Sequence, residues 1–236
     1  MKARGARPAR GCRRVWLFDL DNTLHDASHA AFAPLADAMS GYIAEHLGVE
    51  AGEATALRQR YWRRYGATLL GLVRHHGVEA AHFLEHTHRL PGLEERLRGS
   101  AQDRAALARL SGTKIVLTNA PRAYARRVLG ALGLLSRFDA LIAIEDMAMF
   151  GELRPKPDAR MLRRLVARLR VPATRCVLVE DTLVHQKAAR AIGMRTVWMQ
   201  RYLRSAERVG VGVRRCPKPP YVCARIGSLL ALTRLA

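Results

Sequence analysis

Two aspartates separated by one residue, Asp19 and Asp21, follow a short apolar run near the start of the chain. A carboxylate can act as a nucleophile, and a second carboxyl group nearby can donate a proton to the leaving atom and later take one from water. The same spacing also occurs where a strand simply ends in polar residues or where a side chain caps a helix. The pair therefore indicates catalysis only if other parts of the chain supply partners.

Three further polar motifs occur later in the chain. Thr118 and Asn119 offer a hydroxyl and an amide to a phosphoryl oxygen, and Lys156 lies between two prolines that restrict the local backbone. Glu180 and Asp181 add carboxylates, which are the ligands that a hard cation such as Mg²⁺ prefers. Each motif alone is more often an ordinary loop or strand end. Four of them in this order, each after an apolar run, make coincidence improbable.

The elements that must position these residues alternate between strands and helices. Apolar runs predict strands at 15–18, 114–118, 138–144, 176–179 and 196–199. Helical patterns lie between the later strands, at 101–110, 122–132, 157–169 and 183–192. This alternation is typical of parallel strands joined by right-handed crossovers, in sheets that place their sites at the carboxyl ends of the strands. The stretch 26–90 has only three- and four-residue apolar spacing, which predicts a block of helices inserted after the first strand.

The four motifs read FDLDNTL, VLTNA, PKPD and VLVEDT, and they resemble those of the haloacid dehalogenase (HAD) superfamily of phosphohydrolases over roughly residues 15–200. The resemblance implies an α/β fold, with a Rossmann-like core around a central parallel sheet and an inserted α-helical cap. The core would comprise 15–25 and 92–236, and the cap 26–91. The basic segment 1–14 is interpreted as a disordered tail.

The resemblance also implies a role for each motif residue. Asp19 matches the nucleophile, which would form an aspartyl-phosphate, and Asp21 matches the general acid/base. The positions that bind phosphate are Thr118, Asn119 and Lys156. Mg²⁺ would be held by Asp19, by Asp21 through its backbone carbonyl, and by Asp181. The haloacid dehalogenases proper lack the second aspartate, so Asp21 favours phosphate chemistry over carbon–halogen chemistry.

The predicted cap narrows the resemblance further. The stretch 61–72, YWRRYGATLLGL, is similar to a motif of the pyrimidine 5′-nucleotidase subgroup, as are FLEHTH at 83–88 and PPYV at 219–222. Tyr65 could stack on a base and Thr68 could hydrogen-bond its edge, although aromatic residues at this spacing also form helix cores. The implied substrate is a pyrimidine nucleoside 5′-monophosphate. Phosphoglycolate or a sugar phosphate is the alternative within the same chemistry.

One position departs from the family pattern. Relatives commonly continue the fourth motif as EDTxxN, and this chain has His185 in place of the asparagine. That asparagine usually supports the metal-site loop, so the histidine affects the expected geometry there. We expect activity to be retained, because the nucleophile, the acid/base and the metal-binding aspartates are all present.

Composition sets limits on other functions. Of 236 residues, 40 are Lys or Arg and 20 are Asp or Glu, which gives a formal net charge of +20. The longest stretch without these residues, 27–36, is too short to span a bilayer, so no membrane partner is expected. The arginines are spread over nearly every segment, which favours solvated helix faces; a nucleic-acid-binding protein with a vestigial pocket is the distant alternative. The four cysteines form no CxxC motif, which favours reduced thiols and a cytoplasmic location.

Overall fold

A six-stranded parallel sheet forms the centre of the computed structural model, which describes residues 14–203 and 217–235. In spatial order its strands are Ala140–Ile142 (β3), Thr113–Leu117 (β2), Val15–Phe18 (β1), Cys176–Glu180 (β6), Arg195–Met199 (β7) and Ala224–Ile226 (β8). Every neighbouring pair is parallel. The predicted α/β class with a parallel sheet is therefore confirmed. The predicted basic tail at 1–14 lies outside the described residues, apart from Arg14.

The register of the central strands determines where the site forms. Phe18 of β1 is paired with Val116 of β2 on one side and with Val179 of β6 on the other. These three strands therefore reach the same edge of the sheet at nearly the same level. Polar residues that follow them are brought together there, at the carboxyl ends where open α/β sheets hold their ligands.

Helices cover both faces of the sheet. Trp16 and Phe18 of β1 belong to one buried apolar cluster, and Val15 and Leu17 belong to a second one on the opposite face, as the two-residue period of a strand requires. The first cluster includes residues of Leu93–Arg96 (α6), Ala101–Arg109 (α7) and Arg122–Ala131 (α8). The second includes residues of Ala159–Leu169 (α9) and Leu183–Ala191 (α10). Because both faces are covered, the central strand β1 is apolar along its whole length rather than alternating.

A helical insertion, which we define as residues 27–88, follows β1. Its helices are Ala27–Ala30 (α1), Phe32–Leu47 (α2), Ala51–Tyr65 (α3), Thr68–His76 (α4) and Ala80–Thr87 (α5). Residues of α2 to α5 form a third buried cluster, which includes Ile43, Tyr61, Leu72 and Phe83, together with Ile144 from outside the insertion. Among the described helices, none combines the length and the apolar character that a membrane span requires.

Four strands differ from the sequence prediction. The strand predicted at 138–144 is shorter, because a 3₁₀ turn at Ile144–Met147 follows β3. A hairpin of Ala148–Met149 (β4) and Glu152–Leu153 (β5) was not predicted. Nor was β8, where the sequence indicated a loop before a short element at 226–235; that element is a 3₁₀ helix at Leu229–Arg234. Strands of two or three residues are too short to show a recognisable period.

Replacing Leu107 with alanine tests the packing of the first cluster. Leu107 lies on α7 and is fully buried against the sheet. We expect Leu107→Ala to lower the free energy of unfolding by about 2–5 kcal/mol, because the substitution removes buried methyl groups and leaves a cavity. Denaturant unfolding followed by circular dichroism measures the loss. Leu135→Ala is the control, because the Leu135 side chain is 49% exposed, and equal losses in the two variants would contradict the described packing.

Candidate active site

The ends of β1, β2 and β6 bring the predicted site residues to one place. Asp19 continues β1, and its backbone N–H donates to the carbonyl of Val179 at 2.9 Å. Thr118 follows β2 and is buried, and its Oγ1 accepts from the N–H of Ala120 at 3.0 Å. Glu180 ends β6 and is also buried. The parallel register thus converts three strand ends into one polar cluster.

Lys156 joins this cluster from the loop before α9. Its side chain is buried, and its Nζ donates to Oδ1 of Asp19 at 2.6 Å and to Oε2 of Glu180 at 2.7 Å. Asn119 holds the lysine backbone from both sides: its Nδ2 donates to the Lys156 carbonyl at 2.9 Å, and its Oδ1 accepts from the Lys156 N–H at 2.9 Å. The predicted phosphate contact of Asn119 stays a prediction, and its observed bonds position the lysine.

The cluster holds more negative charge than its lysine neutralises. Burial raises the pKa of Asp19 to about 8, and the charge of Glu180 adds to this effect while Lys156 opposes it. Burial, then Glu180 and Asp19, raise the pKa of Asp181 to about 9. Burial alone would lower the pKa of Lys156, but the charges of Asp19 and Glu180 outweigh burial and raise it. A cation bound beside these two carboxyl groups would favour their charged forms and lower both pKa values.

A divalent cation fits these residues. Asp19, Glu180 and Asp181 each offer a carboxylate oxygen, and the three oxygens lie within 4.8 Å of one another. Both oxygens of Glu180 already have partners, since Oε2 accepts from Lys156 and Oε1 accepts from the N–H of Thr182 at 3.2 Å. Asp19 and Asp181 are thus the carboxylates with the greater freedom to bind a hard cation such as Mg²⁺.

His185 also reaches Glu180. It lies in the first turn of α10, and its Nδ1 is 3.1 Å from Oε2 of Glu180, the same oxygen that Lys156 contacts. Burial would raise the pKa of Glu180, but Lys156 and then His185 outweigh it and lower the pKa below its usual range. The departure from the family pattern therefore has a structural consequence. The histidine contacts the acidic residue that ends β6.

Asp21 stands apart from the buried cluster. Its side chain is 23% exposed, and its Oδ1 accepts from the Tyr124 hydroxyl at 2.8 Å and lies 2.9 Å from Nε2 of His25. The sequence analysis did not identify Tyr124 or His25. The signals were weak: His25 is four residues after Asp21, and Tyr124 is in the first turn of the helix that follows Thr118. Neither pattern indicates a contact before the fold is known.

The helical insertion approaches the site through two of its turns. Gly66 ends α3 in the left-handed conformation, and a Cβ built there would lie 3.8 Å from Cδ of Pro157. The turn after Tyr65 therefore lies against the loop that carries Lys156. His88 follows α5, and its ring meets the Tyr124 ring edge-on at 5.7 Å. Burial lowers the pKa of His88 to about 4, against the opposing charge of Asp21.

The two substrate residues predicted in the cap differ in their freedom to bind. The Tyr65 hydroxyl is 2.6 Å from Nε2 of His75, and its ring is half-buried beside the turn. The Thr68 hydroxyl is buried and donates to the Arg58 carbonyl at 3.0 Å. The Thr68 proton is thus bonded inside the insertion, whereas the Tyr65 ring is only partly buried, with the Arg64 guanidinium 5.5 Å from its centre.

The chain is similar in sequence to known proteins, among them the following two. Phosphate metabolism protein 8 of Saccharomyces cerevisiae is 26% identical over 160 residues, which cover 63% of this chain and 49% of that protein. A plasmid-encoded phosphoglycolate phosphatase of Cupriavidus necator is 36% identical over 104 residues, which cover 44% of this chain and 40% of that protein. The chain thus spans half or less of the length of these relatives.

Solved structures share the whole fold. A HAD phosphatase from Thermococcus onnurineus has a TM-score of 0.59 and 20% identity, over 94% of this chain and 97% of that one. The putative HAD-hydrolase YfnB of Bacillus subtilis, solved bound to magnesium, has a TM-score of 0.59 and 20% identity, over 94% and 98%. L-2-haloacid dehalogenase from Xanthobacter autotrophicus has a TM-score of 0.56 and 15% identity, over 94% and 98%. At these identities the likeness concerns the fold.

The family follows from a match along the sequence. The model of haloacid dehalogenase-like hydrolases matches residues 14–193, which is well over half of the chain. These residues include β1 with Asp19, the helical insertion, β2, the loop of Lys156 and the end of β6. The chain therefore belongs to the haloacid dehalogenase-like hydrolases.

Proposed function

We propose that this hydrolase is a Mg²⁺-dependent phosphomonoesterase that works through an aspartyl-phosphate intermediate. The observation that carries the proposal is the pairing of two unlike carboxyl groups. Asp19 is buried and bonded to the Lys156 ammonium, as a nucleophile facing an anionic substrate requires. Asp21, two residues later, is partly exposed and held by other partners, as a proton donor to a leaving group requires.

In the first step, a carboxylate oxygen of Asp19 attacks phosphorus, and the bond from phosphorus to the leaving oxygen breaks. Asp21 gives its proton to that oxygen, which leaves as an alcohol. In the second step, water attacks the aspartyl-phosphate while Asp21 takes a proton from it, and the phosphorus–Asp19 bond breaks to release phosphate. The Thr118 hydroxyl accepts from the Ala120 N–H and keeps its own proton for a phosphoryl oxygen.

Mg²⁺, when bound, would supply the positive charge that lets two anions approach each other. Asp19, Asp181 and the backbone carbonyl of Asp21 would hold it. The relatives with this fold include both phosphatases and dehalogenases, so the fold alone does not choose the chemistry. Asp21 supports phosphate transfer, because the dehalogenases that the chain resembles lack this residue.

We propose pyrimidine nucleoside 5′-monophosphates as substrates, in the cytoplasm. Two observations support this substrate. The stretch 61–72 resembles the nucleotidase motif, and the turn after Tyr65 lies against the loop of Lys156. A nucleotide whose phosphate is bound by Lys156 would therefore place its base near this turn of the insertion. The net charge of +20 also favours encounter with small anions. Phosphoglycolate is the second candidate, because one curated relative is named for that activity.

Phosphate release from a panel of substrates tests the reaction. The panel contains UMP, CMP, dUMP, AMP, GMP, phosphoglycolate and glucose 6-phosphate, each with and without Mg²⁺. We expect Mg²⁺-dependent release that is fastest with UMP and CMP, and its loss in Asp19→Asn by a factor of about 10³ or more, because the amide is not a nucleophile. If no substrate releases phosphate, the proposed phosphatase activity is contradicted. Preference for a non-nucleotide would contradict only the proposal that pyrimidine nucleotides are the substrates.

Thermal unfolding tests the metal site without measuring activity. We expect millimolar Mg²⁺ to raise the midpoint by several degrees, because a ligand at 100 times its Kd stabilises the folded state by about 2.7 kcal/mol. Asp181→Asn should abolish this shift. Asp37→Asn, at an exposed position on α2, should keep it. If Mg²⁺ leaves the unfolding midpoint of the wild-type protein unchanged, the proposed metal site is contradicted.

Substitution of Tyr65 tests base recognition. We expect Tyr65→Ala to lower kcat/KM for UMP by about 5- to 150-fold, the value of one base–aromatic stack, and to leave phosphoglycolate turnover unchanged. Trp62→Ala is the matched control, because Trp62 lies on the same helix and is 62% exposed. If Tyr65→Ala leaves UMP turnover unchanged, the small-phosphate alternative is favoured.

A further inference from the structure

One oxygen of Asp21 is fixed by two side chains that the reaction above does not use. The Tyr124 hydroxyl donates to Oδ1 at 2.8 Å, and Nε2 of His25 lies 2.9 Å from the same atom. The described residues give Oδ2 no hydrogen bond. We propose, on the basis of the proposed function, that Tyr124 and His25 are positioning residues that occupy Oδ1 and leave Oδ2 to exchange the proton with the leaving group.

Tyr124 can act only as a donor here. Its side chain is buried, and a phenol hydroxyl beside a carboxylate oxygen donates its one proton to that oxygen. The hydroxyl therefore keeps its proton and directs it at Oδ1. The His88 ring meets the Tyr124 ring edge-on at 5.7 Å, so a residue of the helical insertion packs against the tyrosine.

His25 supplies the second contact from a fixed position. Its ring is fully buried, and Nδ1 has no hydrogen-bond partner among the described residues. A buried N–H without a partner is unfavourable, which argues against a proton on Nδ1, and a carboxylate accepts but does not donate. The proton of His25 therefore lies on Nε2, pointing at Asp21. The unpaired nitrogen that remains is a lone pair rather than an N–H.

Two donors on one carboxyl oxygen decide where the acid proton is. A proton on Oδ1 would face two N–H or O–H groups that already point at that atom, so the protonated carboxyl group carries it on Oδ2. The same two hydrogen bonds restrict the rotation of the Asp21 side chain, which is partly exposed to solvent. A general acid must lie within hydrogen-bond reach of the leaving oxygen, so fixing the carboxyl plane contributes directly to proton transfer.

The leaving group provides a readout that a purely structural role would not affect. An alkoxide leaves from UMP only with a proton, whereas 2,4-dinitrophenolate leaves without one. We expect Tyr124→Phe to lower kcat/KM for UMP, or for the best alkyl phosphate of the panel, by about tenfold or more. We expect less than about a threefold change with 2,4-dinitrophenyl phosphate, because its leaving group needs no general acid.

Matched variants separate positioning from folding. Tyr42→Phe removes a hydroxyl of another buried tyrosine, which is bonded to Nδ1 of His82 at 2.7 Å within the helical insertion. This control should leave kcat/KM unchanged for both substrates. His25→Gln keeps an N–H donor near Nε2 and should retain most UMP turnover, whereas His25→Leu should show the same selective loss as Tyr124→Phe. If Tyr124→Phe does not fold, the comparison of His25→Gln with His25→Leu tests the proposal instead.

The outcomes distinguish this inference from the function on which it rests. An active wild type whose Tyr124 and His25 variants lose both substrates equally, or lose neither, would overturn the positioning role and leave the phosphatase intact. A wild type that hydrolyses no phosphomonoester would overturn both. A loss confined to alkyl phosphates supports both.

Discussion

The buried ammonium of Lys156 is the point on which the arrangement of the site depends. A charge removed from water is costly unless opposite charges and hydrogen bonds replace the solvent, and here Asp19 and Glu180 do so from two adjacent strands. Asn119 holds the lysine backbone, so a third strand end is tied to the same group. The lysine consequently joins β1, β2 and β6 at one edge of the sheet. Its removal would leave carboxylates facing one another in a buried cluster.

Much of this arrangement follows from the order of residues. The strands before Asp19, Thr118 and Glu180 are apolar runs, and parallel pairing then requires their ends to meet. The sheet, its site edge and the helical insertion could therefore be predicted from the sequence. The short β8 and the β4–β5 hairpin could not, because their pairing is determined by neighbouring elements and not by a local pattern. β8 is an edge strand of the sheet, and none of these elements supplies a residue of the acidic cluster.

The contacts around the acid/base residue show a different limit. Tyr124 and Asp21 are 103 residues apart, and their bond exists only because α8 packs beside the end of β1. No spacing in the sequence indicates it. Thr68 shows a related limit: its hydroxyl bonds the Arg58 carbonyl inside the insertion, a partner that the motif does not indicate, and its predicted substrate contact stays a prediction. Motifs identify residues that a family shares, whereas partners within the fold decide which atoms remain available to a substrate.

The central place of β1 has a consequence for synthesis of the chain. This strand is made first, but its neighbours in the sheet are β2 and β6, which begin at Thr113 and Cys176. Its apolar residues, and the aspartate that follows them, must therefore wait until most of the chain has left the ribosome, and non-local pairing of this kind slows folding. The helical insertion is synthesised before then, and it supplies most residues of the apolar cluster that packs its helices. The nascent chain thus carries an unpaired apolar strand until β6 emerges, and during this interval the strand is exposed to aggregation.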